Sequence, residues 1–576
     1  MHELVIRGGT LVDGSGAARR EADVAVDGAR IVAVGEDVGP GRRELDARGL
    51  IVCPGFVDLH THYDAQATWD PQLTPSGWHG VTTAIQGSCG VGFAPAHPDR
   101  REWLIGLMEG VEDIPGSALT EGIRWEWESF PEYLDALERF PRALDLGAQV
   151  PHGALRAYVM GERGANNDVA RPEDVARMAE LVEEALRAGA LGFSTSRTLL
   201  HKSMEGVPVP GTFATREELF GIAAALGRAG HGVFQLATDH VRVPEELLWV
   251  DELAQEVGCP VMFNLSQIDQ APELWRQVAA QLQRMDPRVR AQVAGRAIGI
   301  LMTLDATAHP FVPYARYQAI AHLPLPERVA ALRDPAFRAQ LVADGPLSLG
   351  PFEDFIAQTY GRMFLPNPDG TIDYEPTPAQ SVAAVAQARG LDPAEVALDA
   401  LLAGDGQGFL YFPLFNYAGG DLAPLFELHQ DPRTLMGLSD AGAHCGAICD
   451  GGMPTFMLTH WARDRSRGPR LALEHVIQRQ TRATAEAFGL LDRGLVAPGY
   501  LADLNLIDLD ALRLEAPRLV RDLPAGGRRL VQRARGYVAT LKSGVVTRER
   551  DEATGELPGA LVRGPQPAPV GIPAGV

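Results

Sequence analysis

Residues 54–64 read PGFVDLHTHYD, and the apolar run leading into them, Val52 to Leu59, predicts a β-strand that ends in two histidines. Side chains alternate along a strand, so His60 and His62, two apart, face the same way. Outward from this stretch, short apolar runs recur, each followed by a loop and an Ala/Leu/Glu/Arg-rich helical segment. That alternation is the pattern of parallel βα units. The candidate strands are Val52 to Leu59, Thr82 to Gln86, Leu146 to Pro151, Leu191 to Ser194, Gly232 to Ala237, Pro260 to Leu265, Ala297 to Met302 and Leu435 to Leu438. Eight is the number a closed barrel requires, although a doubly wound open sheet can hold eight as well. In a barrel the active site lies at the C-terminal strand ends, where His60 and His62 fall.

The expected fold is therefore α/β, a (β/α)8 barrel over residues 51–497, with an insertion at about 303–432 covering its mouth. Before it, β-rich runs (Glu3 to Ile6, Ala22 to Val26, Arg30 to Val34) alternate with Gly and Asp turns, and similar runs return at Ala502 to Ile507, Arg535 to Leu541 and Gly544 to Thr547. These predict one small β domain built from both chain ends, 1–50 and 498–550. Residues 551–576, ending GPQPAPVGIPAGV, are expected to form a flexible tail.

Composition narrows the function. A formal net charge of -22 over 576 residues and a pI near 5.1 disfavour phosphate backbones and anionic lipid as partners. No run of about 18 apolar residues is present to span a bilayer, and MHELVIRGGTLVDGSG has no basic, then apolar, signal pattern. The five cysteines, Cys53, Cys89, Cys259, Cys445 and Cys449, are odd in number and scattered. They point to a reducing, cytoplasmic setting rather than a disulfide framework. A small-molecule substrate is the expected partner.

Three features carry chemistry. His60 and His62 converge at the end of the first strand and suit one metal ion; a bare His-x-His is otherwise a pair of solvated strand-end histidines. Asp440, in MGLSDAGAH at the end of the eighth strand, neighbours the first strand in a closed barrel. It can bind the same ion and accept a proton from water, or simply cap a helix. Cys89, in GVTTAIQGSCG just past the second strand, is either a thiolate ligand or a buried, inert thiol.

Together with the opening sheet, the segments PGFVDLHTH, GVTTAIQGSCG, VPHGALR, GALGFSTS, GLSD and DRGLVAPGYLADLNLID resemble the amidohydrolase superfamily, and within it the D-aminoacylase, or N-acyl-D-amino-acid deacylase, branch. The resemblance implies zinc-dependent amide hydrolysis, with His60, His62, Cys89 and Asp440 as metal ligands and Asp440 also the proton shuttle. Two departures stand out. Where the family completes a second metal site with a His near the end of strand five and a Ser-His on strand six, this chain has Gln235, with His240 further on, and Ser266-Gln267. One zinc ion is therefore the preferred count and two the alternative. Lys202, the only lysine of the barrel, lies too far past strand four to bridge two ions as a carbamate. Where the relatives carry a Gly-Leu-x-Tyr element, this chain has Ser196, Arg197, Thr198 and Leu199. Arg197 is either a partner for a substrate carboxylate or half of a structural ion pair. The expected function is hydrolysis of an N-acyl amino acid. Cyclic amide or imide hydrolysis, deamination, and a non-catalytic scaffold with a degenerate metal site are the alternatives.

Overall fold

The computed structural model describes residues 1–570. Eight parallel strands form the barrel: Phe56–Asp58, Val81–Gln86, Asp145–Ala148 continued by Val150–Pro151, Gly192–Ser196, Val233–Ala237, Val261–Asn264, Val289–Val293 and Thr434–Met436. The ring closes just beyond the strand ends, where Thr61 bridges Ala441 in parallel and the His62 amide donates to the Ala441 carbonyl at 2.9 Å. Nearly every strand residue is buried, as expected of strands packed on both faces, which is why they read as apolar runs rather than alternating ones. Outer helices such as Pro172–Ala188 and Arg216–Ala229 lay their apolar stripes on this ring.

Two strands differ from their sequence reading. The run Val52 to Leu59 is not one strand but two elements that break at Gly55. Ile51–Pro54 joins the small β domain and Phe56–Asp58 opens the barrel. A Cβ at Gly55 would stand 2.2 Å from the Thr82 hydroxyl oxygen, so only glycine lets the chain turn there against the second strand. The seventh barrel strand is Val289–Val293, not Ala297 to Met302. Arg290 and Gln292 interrupt its apolar run, and the more uniform run that follows, Gly299–Met302, pairs antiparallel with Leu410–Pro413 instead. The insertion accordingly begins close after Val293, earlier than residue 303. It has its own apolar core, including Ile300, Met302, Leu332, Leu401 and Phe412.

Both chain ends meet in a nine-stranded sheet. Ile51–Pro54 lies between His2–Leu11, parallel to it, and Leu504–Ile507, antiparallel; Tyr537–Lys542 and Val545–Glu549 extend the sheet. Charge fastens it to the barrel: the buried Lys542 ammonium lies 2.8 Å from Asp503 and 3.1 Å from Asp145, which also receives Arg493 at 2.7 Å. The segment expected to be a flexible tail is ordered over most of its described length. Backbone bonds tie it to strand three and to the ends of two outer helices: Val562 to Leu146, Gly564 to Gly189 and Gln566 to Gly489. Val562 is buried with Leu59, Ile85 and Leu191. Pro/Gly-rich composition favours disorder only where no partner supplies hydrogen bonds, and the barrel floor supplies them. Residues 571–576 of that tail lie outside the described residues. No helix among the described residues is long and apolar enough to cross a membrane.

Candidate metal centre

His60 and His62 follow the first barrel strand, Cys89 the second and Asp440 the eighth, so ring closure brings all four to one side of the mouth. The ligand atoms of His60, His62 and Cys89 lie within 4.8 Å of one another, and among the described residues they form the one such group of three or more. Nε2 of His60 is 3.2 Å from the Cys89 sulfur and 3.2 Å from Oδ1 of Asp440; that oxygen is 3.5 Å from Nε2 of His62. The loops that hold them are strained: Cys89, Leu438, Asp440 and His444 all have left-handed backbones. Such conformations cost about 1–3 kcal/mol each for non-glycine residues and gather at functional sites. Gly90, also left-handed, lets the Cys89 loop close on strand four, where a Cβ would meet the Ser196 nitrogen at 2.9 Å.

The donor set fits a metal cation. His62 is 1% exposed, yet neither ring nitrogen has a hydrogen-bond partner, which is rare for a buried imidazole unless something else occupies it. Two imidazoles, a sulfur and a carboxylate are a zinc-type set. Burial pushes His62 down to about 4, only partly offset by Asp440, so the ring is neutral and able to bind at pH 7. Burial alone would raise Asp440, but His60 and His62 outweigh it and hold the carboxyl well below the usual range. Burial and the nearby carboxylates of Glu112, Asp440 and Asp64 push the Cys89 thiol far up. A bound cation reverses that balance and favours the thiolate.

Residues 43–548 match the amidohydrolase family. The chain belongs to the amidohydrolase family. An uncharacterized protein of Mycobacterium tuberculosis is 28% identical over 540 residues, covering 88% of this chain and 84% of that protein. The N-acyl-D-glutamate deacylase of Alcaligenes xylosoxydans xylosoxydans is 28% identical over 513 residues, covering 87% and 86%. The D-aminoacylase of the same organism is 32% identical over 277 residues, 48% of this chain and 52% of that protein. A crystal structure of D-aminoacylase superposes with a TM-score of 0.64 at 24% identity, covering 98% of this chain and 100% of that one, and so shares the fold.

Around the centre of this amidohydrolase, amides stand where the sequence comparison looks for a second set of ligands. Nδ1 of His60 is 2.7 Å from Gln292 Oε1; Gln235 Nε2 lies 3.1 Å from the same Nδ1, and Gln149 Nε2 donates to Gln235 Oε1 at 2.7 Å. With its Nδ1 proton given to Gln292, His60 presents the Nε2 lone pair to Cys89 and Asp440. Gln267 faces away from the centre: it accepts from the Ala418 amide at 3.0 Å and donates to the Pro272 carbonyl at 3.1 Å, anchoring an insertion loop. His240 lies three residues past strand five, its ring 4.7 Å from that of Phe415, and burial pushes it down to about 4. Lys202 is exposed. Of the two readings of Arg197, its contacts match the structural ion pair, since it lies 3.3 Å from Glu246 and donates to the Ala214 carbonyl at 2.9 Å.

Three residues at the site escape the sequence reading. His201, on the loop after strand four, is pushed down to about 3 by burial and by the nearby His444 and His62. His444 lies four residues past Asp440, in the same SDAGAH run, and that proximity was its available signal. Glu112 ends helix Arg101–Glu112 and is 1% exposed. Burial and the charges of Asp440 and Asp64 push its carboxyl well up, a tendency that a bound dication opposes. No motif marks Glu112, because a helix between strands delivers it.

Proposed function

We propose that this chain hydrolyses the amide bond of N-acyl amino acids, with the D series as the preferred substrates, at a single zinc ion held by His60, His62, Cys89 and Asp440. The observation that carries the reading is the meeting of these four side chains from strands one, two and eight. Similarity to an N-acyl-D-glutamate deacylase over most of both chains supports the substrate class. A zinc ion there would supply a Lewis acid for the amide oxygen and make water nucleophilic near pH ~7.

The protein's own groups then divide the proton work. Asp440, ionised at neutral pH, accepts a proton from the attacking water as the new C–O bond forms. It returns that proton to the nitrogen as the C–N bond breaks, so water is consumed and an acid and a free amine leave. His201, held neutral at pH 7 by burial, adds no positive charge beside the centre. One ion is favoured over two because Gln267 is spent on the insertion loop and Gln235 on the amide chain beneath His60. The five cysteines are all free, which supports a cytoplasmic setting.

The zinc-loaded protein is to be assayed for amine release from paired D- and L-isomers of N-acyl amino acids, beside hydantoins, lactams and aminated heterocycles. The highest kcat/KM is expected on an N-acyl-D-amino acid. Ring opening or deamination with no N-acyl turnover would replace this reading with its cyclic-amide or deaminase counterpart. Absence of bound metal with no rescue by added zinc would leave only a scaffold.

A further inference from the structure

Helix Arg101–Glu112 stops at Asp113, whose backbone is left-handed. Neither carboxylate oxygen of Glu112, the last helical residue, has a hydrogen-bond partner. A buried carboxyl without partners is costly to keep, so the groups that face it matter. Oε1 stands 3.4 Å from Nδ1 of His62, and Oε2 stands 3.5 Å from Nε2 of His444. The same helix end grips the strand-eight loop through its backbone: the His444 amide donates to the Glu112 carbonyl, and the Gly446 amide to Asp113 Oδ2 at 3.0 Å. Asp440 is carried by that loop.

We propose that Glu112 is a positioning residue of the metal centre: its buried carboxylate, facing Nδ1 of His62 at 3.4 Å, takes that proton as a hydrogen bond once a cation holds Nε2 and, through His444, sets the loop that carries Asp440. An imidazole that offers one nitrogen to a cation needs its other N–H accepted by a partner, which fixes tautomer and ring orientation. For His60 that partner is the neutral amide of Gln292. For His62 the facing group is a carboxylate, which makes the ring a stronger donor than an amide partner would. The two ligand histidines are thus held by chemically different partners, and Glu112 reaches the metal only through them. The inference rests on the zinc reading above.

The test is Glu112→Gln in the full chain, read by zinc affinity in competition with a chromophoric chelator and by thermal unfolding of the metal-free protein. Zinc affinity is expected to fall about 10–100-fold, while the metal-free variant unfolds within a few degrees of the native chain or above it, since a neutral amide is no harder to bury. A purely structural Glu112 would show the reverse, lowered metal-free stability and unchanged affinity. Should the variant not fold, ¹⁵N-histidine spectra of the zinc-loaded native protein decide, with the His62 proton expected on Nδ1. Zinc affinity within threefold of native, or a His62 proton on Nε2, overturns this inference alone. A native chain that binds no zinc overturns the functional reading instead.

Discussion

At the scale of single residues, Asp440 has two tasks that substitution can separate. Asp440→Asn keeps an oxygen donor and the side-chain shape but removes the proton acceptor. Turnover is expected to fall about 10²–10⁴-fold while bound zinc, by elemental analysis, stays near its native level; near-normal turnover would rule out the assigned role. Residues brought to the site by a strand end were legible in the sequence, because period-two alternation and closure of strand eight on strand one fix their direction. His60, His62 and Asp440 are of this kind, whereas Cys89, on a loop three residues past strand two, was marked as a ligand only by the family resemblance. Glu112 was not legible, because a long loop and a helix deliver it and no spacing rule links residue 112 to residue 62. His240 lies on a loop that packs on Phe415 of the insertion, and the loop of His201 lies against helix Arg101–Glu112 at Gly110. Arg197 had two chemically equivalent readings, and only the position of Glu246 distinguishes them.

At the scale of elements, the seventh strand shows where pattern reading fails. Uniform apolarity favoured Ala297 to Met302, yet the barrel takes Val289–Val293, whose Gln292 finds a partner in His60; a barrel interior next to an active site tolerates polar residues that find partners. The insertion is fastened to the barrel by a second buried polar group. Glu375 receives Arg465 at 3.0 Å and lies 2.8 Å from His460 Nε2, both on or just after the helix Met457–Asp464. Burial alone would raise this carboxyl, but hydrogen bonds from His460 and Arg465 outweigh it and bring it from 4.5 down to about 2. Because the folded value lies below the unfolded one, the contribution is complete above pH ~4.5 and is lost as pH falls toward 2. It amounts to on the order of 2 kcal/mol, allowing for partial solvent screening. Urea titrations at pH 5 and pH 3 should show the native chain losing more stability on acidification than Glu375→Gln. Parallel losses in the two proteins would show that the pair does not hold the insertion.

At the scale of the whole molecule, the barrel and the terminal β domain were visible as a change of texture near residues 51 and 498. The role of the C-terminal segment was not, because its bonds to Leu146, Gly189 and Gly489 are made by its backbone, and no spacing rule links Arg563 to Asp135 and Glu138, with which it pairs. Ending the chain at Glu556 should strip backbone partners from Leu146, Gly189 and Gly489 and uncover the apolar floor around Val562. A loss of stability on the order of 2–4 kcal/mol is expected, read as a lowered urea midpoint, with zinc content unchanged, since the centre lies at the opposite end of the barrel. An unchanged midpoint would mean the strap is ornamental. The most direct test of the central claim is the number of transition-metal ions that the purified chain binds. Elemental analysis is expected to give about one zinc per chain, lost on substituting His60 or His62 by Ala. No bound metal, or metal retained at full stoichiometry in both variants, would contradict a hydrolytic centre built on these side chains.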